Sequence, residues 1–363
     1  MRDGASTVDL VPLTFTELPG WDVADLARAW RGFRRSSTDI LGVQRAFSRQ
    51  PLFGEDVLAW RSAAAACLAS DEAQARSFFE TTFRPHLVED SERPQGLFTG
   101  YYEAQANGSF TCSPRYRFPV LAGPKDLHRQ AGEGPEGDAR YGRRSGEAIV
   151  PYFTRADIET GALDGQGLEL LWVDSAIDLY FIHIQGSGRI LMEDGSLVRL
   201  AYAAKNGHSY TSIGARLIAS GDISAERMSM QTLRAWLAQD EARATALMRQ
   251  NASYIFFRLL RDMPADLGPP GAQEVGLDAL ASLAVDRRFW PLGMPVWLDT
   301  VVPDSSTGGR PFRTLLIAQD TGSAIRGGAR GDIFFGAGEE AAFAAGHMKA
   351  PGRMIVLLPN RPS

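Results

Sequence analysis

The sequence predicts a mainly β protein with flanking helices (β+α), organised in two domains. Its 363 residues are enough for two domains, or for one domain that carries a large insertion. Roughly the first hundred residues have the apolar spacing of helices. From about residue 97 to 205 the chain is rich in glycine, proline and short alternating runs, and the C-terminal part is again β-rich; many short strands with glycine-rich turns are typical of a small β-barrel.

Three helices are predicted in the N-terminal part. The range Asp22–Arg35 places its apolar residues on one helical face, formed by Val23, Leu26, Ala27 and Trp30. The alanine-rich range Asp56–Ser70 predicts a second helix, which carries Leu58, Trp60 and Cys67. Ser70, followed by two acidic residues, resembles a helix N-cap, and we expect a third helix to run from there to about Phe83.

Between about residues 97 and 205 the chain predicts short strands. The clearest is the apolar run Leu179–Gln185, which ends at the glycine-flanked Ser187. The range Gly132–Gly146, dense in glycine and charged residues, predicts a surface loop. Further strands are expected at Arg117–Val120, Leu170–Val173 and Leu197–Tyr202.

Helices are expected again after residue 211, at Ser212–Ser220, at Met228–Leu237 and in a third segment through about Gln250. Glu339 and Glu340 open an alanine-rich helix, where acidic residues suit the helix dipole. The rest of the C-terminal part is again predicted to form strands, at Pro295–Leu298, Arg313–Gln319, Asp332–Phe335 and Met354–Leu358.

The composition argues against several classes of protein. Hydrophobic residues make up 44% and charged residues 22% of the chain, which is ordinary for a soluble globular protein. The formal net charge of −5 argues against a nucleic-acid-binding protein, which would carry a basic stripe. No run of about 20 apolar residues is present to span a bilayer. The first residues lack the apolar core of a signal peptide, so we expect a cytosolic protein or one whose targeting segment has been removed.

Neither the cysteines nor the histidines predict a metal centre. Cys67 and Cys112 match no metal-binding spacing, and the five histidines are scattered. One disulfide could form in an oxidising compartment, but we expect two buried free thiols. We therefore expect no metal site and no cofactor.

Three aspartates in the C-terminal part lie at the edges of apolar, strand-like runs: Asp286, Asp320 and Asp332. A carboxylate in such a place is costly to bury unless it is hydrogen-bonded, so each must face solvent, a partner or a substrate. Each one taken alone is best explained by bonds to backbone amides in a glycine-rich turn. The shared setting of all three is what indicates a functional site.

The three settings together resemble the 3D domain, a small double-psi β-barrel module named for three aspartates. The most specific strings are Asp320–Gly327 and Asp332–Gly336. Further strings resemble signature blocks of the membrane-bound lytic murein transglycosylase A family; they are Phe98–Glu103, Ile184–Gly188, Lys205–Gly214 and Asn251–Phe257. The resemblance to this family runs in order from about residue 13 to 359, with Ala252 at a position where the family commonly has proline.

This resemblance implies a two-domain enzyme. Domain 1 would comprise residues 1–103 and 245–363, with the N-terminal helices and a double-psi β-barrel, the 3D domain at about 275–359. Residues 104–244 would form an inserted second β-domain, and a substrate groove would separate the two domains. The family's catalytic aspartate matches Asp332, and its supporting pair matches Asp320 and Asp286.

The implied activity cleaves the β-1,4 bond from N-acetylmuramic acid to N-acetylglucosamine and forms 1,6-anhydromuramic acid. One carboxyl group suffices, because the C6 hydroxyl of the same sugar attacks C1 and no external nucleophile must be recruited. Asp332 would protonate the leaving oxygen and then accept the proton of O6. It must therefore be protonated at rest, and desolvation beside Ile333, Phe334 and Phe335 would raise its pKa.

Aromatic and polar residues near glycines are candidates for sugar binding. Tyrosine faces can pack on pyranose C–H groups and side-chain hydroxyls or amides can bond sugar hydroxyls, although core packing explains each residue equally well. Thr99 and Gln185 are the strongest candidates, since polar residues at strand ends beside glycine seldom serve a core. The full set is Thr99, Gly100, Tyr101, Gln185, Gly186, Ser187, Tyr210 and Tyr254.

Two other functions stay open, a non-catalytic peptidoglycan-binding protein and a glycoside hydrolase on the same barrel. The hydrolase would need a second acid near Asp332, for which Glu103 and Glu339 are the candidates. The expected partner is the peptidoglycan glycan strand, with no nucleic acid, and the protein is expected to be a monomer. The resemblance implies a periplasmic location, either free or as an outer-membrane lipoprotein.

Overall fold

The architecture is described from a computed structural model. The structure describes residues 8–54, 56–130, 140–146, 148–260, 267–304, 306–322 and 324–361. The chain forms two compact units: Met1–Tyr102 with Met263–Ser363, here unit 1, and Glu103–Asp262, here unit 2. The return to unit 1 comes after the predicted boundary at residue 244, because the strand Ile255–Leu260 pairs inside unit 2.

The N-terminal part contains strands as well as the predicted helices. Helix α1 (Ala27–Leu41) begins later than the predicted Asp22; Asp25 lies just before it, and its carboxylate accepts the Ala27 N–H at 3.0 Å. Leu26 and Trp30 are buried as predicted, whereas Val23 lies before the helix and is exposed. In chain order the elements are β1 (Val8–Pro12), α1 (Ala27–Leu41), α2 (Val57–Ala69), α3 (Ala75–Thr82), β2 (Phe83–Asp90) and β3 (Leu97–Ser109).

The second and third helices lie where the sequence predicts them. The Asp56 side chain caps α2 by accepting the Ala59 N–H at 3.0 Å. Trp60 of α2 is buried, whereas Leu58 is exposed. The third helix is split, because a 3-10 turn at Glu72–Gln74 precedes α3.

Both cysteines are free. Cys67 in α2 is buried, as predicted, and this burial raises the pKa of its thiol to about 11. Cys112 is exposed in the loop after β3, so the prediction of two buried thiols is wrong for this residue.

Unit 2 combines short strands with short helices. The strands predicted around residues 117–120, 170–173 and 197–202 are present, as are the three predicted helices between residues 212 and 250. Part of the predicted loop at residues 132–146 is instead a strand, Arg140–Ser145, and residues 132–139 lie outside the described residues. The elements are β4 (Phe118–Leu121), β5 (Leu127–Gln130), β6 (Arg140–Ser145), β7 (Ala148–Pro151), α4 (Arg155–Glu159), β8 (Glu169–Val173), α5 (Ala176–Gln185), β9 (Gly188–Met192), β10 (Leu197–Lys205), α6 (Ile213–Ala219), α7 (Met230–Leu237), α8 (Glu241–Met248) and β11 (Ile255–Leu260).

The range Leu179–Gln185, predicted as the clearest strand, belongs to helix α5, so this prediction is wrong. Ser175 Oγ accepts the Asp178 N–H at 3.1 Å and caps the start of the helix. Gly186, with a φ of 74°, ends it in the left-handed conformation. Residues 179–183 are all buried, so no exposed face reveals a helical period, and a short apolar run fits a buried helix as well as a strand.

The sheet of unit 2 starts from the second half of β3. This part of β3 pairs in parallel with β9, with Ala104 opposite Gly188, and β9, β10 and β11 follow as antiparallel neighbours. Strands β4 and β8 pair with each other, and β8 pairs with the end of β3. The helices α5 to α8 pack around an apolar core that includes Phe181, Leu217 and Leu247.

The C-terminal part returns to unit 1 and contains every strand predicted there, together with the alanine-rich helix. Its elements are β12 (Ser282–Val285), β13 (Pro295–Val302), β14 (Arg310–Asp320), β15 (Arg330–Ala337), α9 (Glu339–His347), β16 (Lys349–Ala350) and β17 (Gly352–Pro359). These strands complete a sheet in the order β1-β2-β17-β13-β14-β12-β15-β3. Trp60, Trp290 and Trp297 are at most 1% exposed in the apolar core of this unit.

The longest helix, α1, has 15 residues. Over the described ranges, none of the helices is both long and apolar enough to cross a membrane.

Candidate active site

Three neighbouring strands of unit 1 bring the three predicted aspartates together. In the order β14, β12, β15, Ala284 of the central strand lies opposite Asp320 on one side and Asp332 on the other. Residues opposite each other on neighbouring strands place their side chains on the same face. Two strand spacings, roughly 10 Å, therefore separate the backbones of Asp320 and Asp332. Asp286 follows directly after β12.

Asp332 is a half-buried carboxyl group among apolar neighbours. The next two residues of β15, Ile333 and Phe334, are 0% and 1% exposed. Burial raises the pKa of Asp332, and the hydrogen bond from Thr99 and the charge of Arg330 offset only part of this effect. Asp332 therefore holds a proton at higher pH than an aspartate in water does.

Thr99 contacts the Asp332 carboxyl directly. It lies on β3, next to β15 in the sheet, and its hydroxyl donates to Asp332 Oδ1 at 2.5 Å. The same hydroxyl accepts a hydrogen bond from Nη2 of Arg330 at 2.7 Å. The residue predicted to bind sugar is thus part of the hydrogen-bonded surroundings of the predicted acid.

Asp320, the last residue of β14, is held by three donors. Its Oδ1 accepts the N–H groups of Ala272 and Thr321, both at 2.9 Å, and its Oδ2 accepts the Tyr101 hydroxyl at 3.0 Å. Burial raises the pKa of Asp320, the charge of Asp332 adds to the rise, and the three hydrogen bonds oppose it. The two carboxyl groups are therefore electrostatically coupled, and ionisation of one disfavours ionisation of the other.

Tyr101 links Asp320 to the apolar side of the site. Its ring lies 5.2 Å from that of Phe334, and its hydroxyl points to Asp320. Burial, together with the charges of Asp320 and Asp332, raises the pKa of Tyr101 well above its usual value. The hydroxyl therefore stays protonated and acts as a hydrogen-bond donor.

Asp286 is bound in a way that favours its ionised form. Its side chain is 2% exposed and forms an ion pair with Arg288, with Nη2 to Oδ2 at 2.6 Å. The Gly327 N–H also donates to Oδ2 at 2.9 Å, at a position where the glycine has a φ of 117°. Burial raises the pKa of Asp286, but these hydrogen bonds and the Arg288 charge outweigh it, so the pKa is lowered. Asp286 is arranged to hold the turn at Gly327.

Two functional neighbours were missed by the sequence reasoning. Asp90, at the end of β2, is 3% exposed, and its Oδ2 accepts the N–H groups of Gly328 and Ala329 at 2.9 and 3.2 Å. It holds the segment just before β15 and so helps to place Asp332. Arg330 lies two positions before Asp332, which puts both side chains on one face of the strand. That spacing was readable from the sequence, whereas nothing local singled out Asp90.

Gly100 has a packing role. A Cβ atom at this position would lie 2.4 Å from Cε2 of Phe335 and 3.0 Å from Cα of Ala345. The absent side chain lets β3 lie against these two residues, so packing alone requires a glycine here, and a ligand contact of Gly100 stays a prediction.

The predicted residues Gln185, Gly186 and Ser187 lie in unit 2, at the turn from α5 to β9. All three are partly exposed. Gly186 caps the helix with its N–H bonded to the Ile182 carbonyl at 2.9 Å, and a Cβ there would meet nothing within 4 Å. The turn is therefore an accessible group of polar and backbone atoms, although it follows a helix and not the predicted strand.

Tyr210 and Tyr254, also in unit 2, differ in accessibility. Tyr210 is 55% exposed, so its ring is open to a ligand. Tyr254 is 3% exposed, and its ring lies 4.3 Å from that of His183 and 5.2 Å from that of Phe256. The faces of Tyr254 are covered by protein, which corrects its prediction as a sugar-binding residue.

The two candidates for a second acid differ from Asp332 in their surroundings. Glu103, in unit 2, is 2% exposed and forms an ion pair with Arg199, Nε to Oε1 at 3.4 Å. Glu339 is exposed at the start of α9.

The described part of the chain contains no group of three or more His, Cys, Asp or Glu side chains arranged to hold a metal ion.

The arrangement in unit 1 provides one proton-exchanging group on a fixed support. Asp332 has a raised pKa and one oxygen bonded to a hydroxyl donor, Asp320 is locked by two amides and a phenol, and Asp286 is ion-paired. Such a site can donate a proton to a leaving group and take one back.

Comparisons with known proteins place both units in one family. A family model described as the MltA specific insert domain matches residues 97–258, and one described as the 3D domain matches residues 281–358. A solved membrane-bound lytic murein transglycosylase from Agrobacterium tumefaciens is 33% identical, with a TM-score of 0.82 over 97% of this chain and 98% of its own. MltA from Neisseria gonorrhoeae is 32% identical, with a TM-score of 0.84 over 99% of this chain and 95% of its own.

Curated relatives carry the same description. Membrane-bound lytic murein transglycosylase A of Vibrio cholerae is 38% identical over 216 residues, and that of Escherichia coli strain K12 is 34% identical over 265 residues. These matches cover 58% and 72% of this chain, and they span 57% and 65% of the lengths of those two relatives. A structure of E. coli MltA with bound chitohexaose is 27% identical, with a TM-score of 0.69 over 99% of this chain and 94% of its own.

Proposed function

The chain belongs to the membrane-bound lytic murein transglycosylase A family, and we propose that it cleaves the glycan strands of peptidoglycan with Asp332 as its catalytic acid and base. The bond cut is the β-1,4 link from N-acetylmuramic acid to N-acetylglucosamine, and the product is a 1,6-anhydromuramoyl end. The observation that carries the proposal is the raised pKa of a half-buried carboxyl supported on three adjacent strands. The E. coli relative that holds chitohexaose supports a glycan as the ligand.

The proposed reaction needs two proton transfers at one carboxyl. Asp332 gives its proton to the O4 atom of N-acetylglucosamine as the bond from C1 to O4 breaks and its electron pair passes to O4. The O6 atom of the same muramic acid forms the new bond to C1. The ionised Asp332 then takes the O6 proton, which restores its starting state. No other reactant is consumed.

A single acid is enough because the nucleophile is part of the substrate. Attack by O6 is intramolecular, so the entropic cost of bringing a water molecule to C1 does not arise. A hydrolase would need a second carboxyl to activate water. Glu103 is ion-paired in unit 2 and Glu339 is solvent-exposed, which favours the transglycosylase over the hydrolase.

The other two aspartates support Asp332 in this proposal. Asp320 accepts the Tyr101 hydroxyl and the N–H groups of Ala272 and Thr321, and so fixes the end of β14. Asp286 holds the turn at Gly327, from which the chain enters β15. Asp332 is thus the reacting group, Asp320 holds the Tyr101 hydroxyl and the end of β14, and Asp286 holds the turn that leads into β15.

Glycan contacts are proposed for the accessible residues Gln185, Gly186, Ser187 and Tyr210, whereas the Thr99 hydroxyl is already bonded to Arg330 and Asp332. The finer architecture expected from the resemblance, a double-psi β-barrel in the C-terminal strands and a substrate groove, belongs to this proposal. The proposal also includes a periplasmic location, either free or as an outer-membrane lipoprotein, and a monomeric state. The membrane-bound description of the relatives supports the location.

Digestion of purified sacculi, followed by mass spectrometry of the products, tests the activity. We expect 1,6-anhydromuramic ends from the wild type, and from Asp332→Asn a rate lower by about a hundredfold or more, because the transferable proton is lost. Asp299→Asn, a surface carboxylate paired with Arg313, serves as the matched control and should retain its rate. Reducing ends would indicate a hydrolase, binding without cleavage a non-catalytic protein, and near wild-type activity of Asp332→Asn would show that another group is the acid.

A further inference from the structure

Arg330 is a buried arginine whose two terminal nitrogens both have partners. The residue is 7% exposed on β15. Nη1 donates to the carbonyl oxygen of the neighbouring Gly331, which fixes the plane of the guanidinium group. Nη2 donates to Thr99 Oγ1 at 2.7 Å. Its charge is therefore held on the same strand face as Asp332.

These contacts fix the direction of the hydrogen bond between Thr99 and Asp332. An arginine has only donors, so the Thr99 oxygen must accept from Arg330. A hydroxyl has one hydrogen, and that of Thr99 then points to Asp332 Oδ1 at 2.5 Å. Oδ1 is thereby used as an acceptor, and a proton placed on it would compete with the Thr99 hydrogen.

We propose that Arg330 is a positioning residue that, through the Thr99 hydroxyl, keeps Oδ1 of Asp332 as an acceptor and leaves Oδ2 as the atom that gives and regains the proton. This inference rests on the proposed function of Asp332 and deepens it by assigning the proton to one oxygen. The proton leaves Oδ2 for O4 of the leaving sugar, and the proton of O6 returns to Oδ2.

The intervening hydroxyl also sets the strength of the charge effect. A direct arginine–carboxylate pair would hold Asp332 ionised and unable to donate. With Thr99 between the two groups, the Arg330 charge only partly offsets the effect of burial on the pKa of Asp332. The carboxylate formed after the first transfer is still stabilised by the Thr99 hydrogen bond and by the Arg330 charge, as a residue that is first acid and then base requires.

The other ionisable groups near Arg330 and Asp332 are the same in the wild type and in the variants compared below. Asp320 and Tyr101 interact with Asp332 through their charges, and the charge of Arg93 lowers the pKa of Arg330. They determine the position of the wild-type profile, and the comparison between variants isolates the contribution of Arg330 and Thr99.

The kinetic test compares pH–rate profiles on purified glycan strands. Arg330→Met removes the positive charge and should raise the pKa of Asp332. The alkaline limb of the kcat/KM profile should then move to higher pH by about one unit, which is the lower end of the pKa shift that a neighbouring opposite charge causes. Thr99→Val should move it in the same direction by a smaller amount and lower kcat about tenfold, with KM little changed. Thr99→Ser and Arg330→Lys should restore most of the wild-type profile. Arg313→Met, which removes a half-exposed arginine paired with Asp299 in the same unit, is the control and should leave the profile unchanged.

A second test needs no activity. The carboxyl carbon of Asp332 can be followed by NMR in protein labelled with ¹³C-aspartate, its signal identified by its absence from Asp332→Asn. The titration midpoint of this signal should rise in Arg330→Met and in Thr99→Val. If Arg330→Met does not fold, the two Thr99 variants still decide the question. A relay through the hydroxyl requires a raised titration midpoint in Thr99→Val, which lacks the hydroxyl, and a midpoint close to the wild-type value in Thr99→Ser, which keeps it.

The outcomes separate this inference from the proposed function. Unshifted profiles and midpoints in both variants would overturn it, and so would a shift in Arg330→Met without one in Thr99→Val, because the charge would then act without the hydroxyl. Shifted midpoints in a protein that cleaves no glycan would support the hydrogen-bond relay while refuting the proposed function.

Discussion

Replacing Asp286 by Asn separates a structural role of this aspartate from a chemical one. The change keeps the shape of the side chain but removes its charge and one acceptor oxygen. In the wild type that charge lies on a group that is 2% exposed, paired with Arg288 at 2.6 Å and bonded to the Gly327 N–H at 2.9 Å. We expect a clear loss of stability, and a loss of activity that follows from it.

The size of the loss follows from these contacts. A hydrogen bond to a charged group contributes about 1.5–3 kcal/mol, and the bond from the Gly327 amide falls in that range. The Arg288 side chain is 44% exposed and regains water, so its share is screened to less than about 1 kcal/mol. The free energy of unfolding of unit 1 should fall by about 2–3 kcal/mol, and its melting temperature by about 4–12 °C at the 2–4 °C per kcal/mol typical of domains of this size.

Urea unfolding at pH 7, followed by tryptophan fluorescence, measures this change. Asp299→Asn is the control, because its ion pair with Arg313 is partly exposed and should contribute less than about 1 kcal/mol.

The stability that Asp286 contributes depends on pH. Its pKa is lowered in the folded state, so this contribution to the free energy of unfolding is present above the unfolded pKa of about 4 and disappears as the pH falls through the folded pKa. The difference between wild type and variant should therefore narrow below about pH 4. An unchanged stability at pH 7 with activity as low as in Asp332→Asn would refute the structural role.

Three further predictions concern the proposed reaction. Activity should fall as the pH rises through the pKa of Asp332, which burial raises, so the optimum should lie on the acidic side of neutral; a flat profile into the alkaline range would exclude a carboxylic acid as donor. Asp320→Ala should lower both activity and melting temperature, because two backbone amides lose their acceptor; full activity and stability of this variant would remove Asp320 from the site. Tyr101→Phe should lower activity by about tenfold or less and should affect stability less than Asp320→Ala does. EDTA should leave activity unchanged because the proposed proton transfers use only Asp332, and inhibition that added zinc reverses would contradict this mechanism.

The strands of the C-terminal part could be predicted because they are short apolar runs bounded by glycine-rich turns, and most of their residues are buried. The same pattern placed the three aspartates at the edges of these runs, although Asp286 is only 2% exposed. It failed for Leu179–Gln185, where burial on all sides removes the periodicity and only the caps Ser175 and Gly186 reveal a helix.

Residue roles were harder to predict than residue positions. Thr99 was selected as a polar residue beside a glycine, but its partner lies 233 positions away and its contact is with the acid. Tyr254 carries the same type of side chain as Tyr210, and only tertiary packing shows that one is covered and the other exposed. Asp90 could not be identified, because the amides that it binds come from a distant part of the chain.

The hydrogen bonds of the site also determine when the site exists during synthesis. Thr99 and Tyr101 leave the ribosome well before their partners Asp332 and Asp320, which follow 233 and 219 positions later. All of unit 2 is translated in between, so it can fold as a separate body before unit 1 has its remaining strands. Closing so long a loop costs entropy, which is repaid only once the C-terminal strands pair. A chain interrupted anywhere before residue 332 therefore lacks the acid altogether, and under the proposed function such a chain cannot cleave a glycan strand.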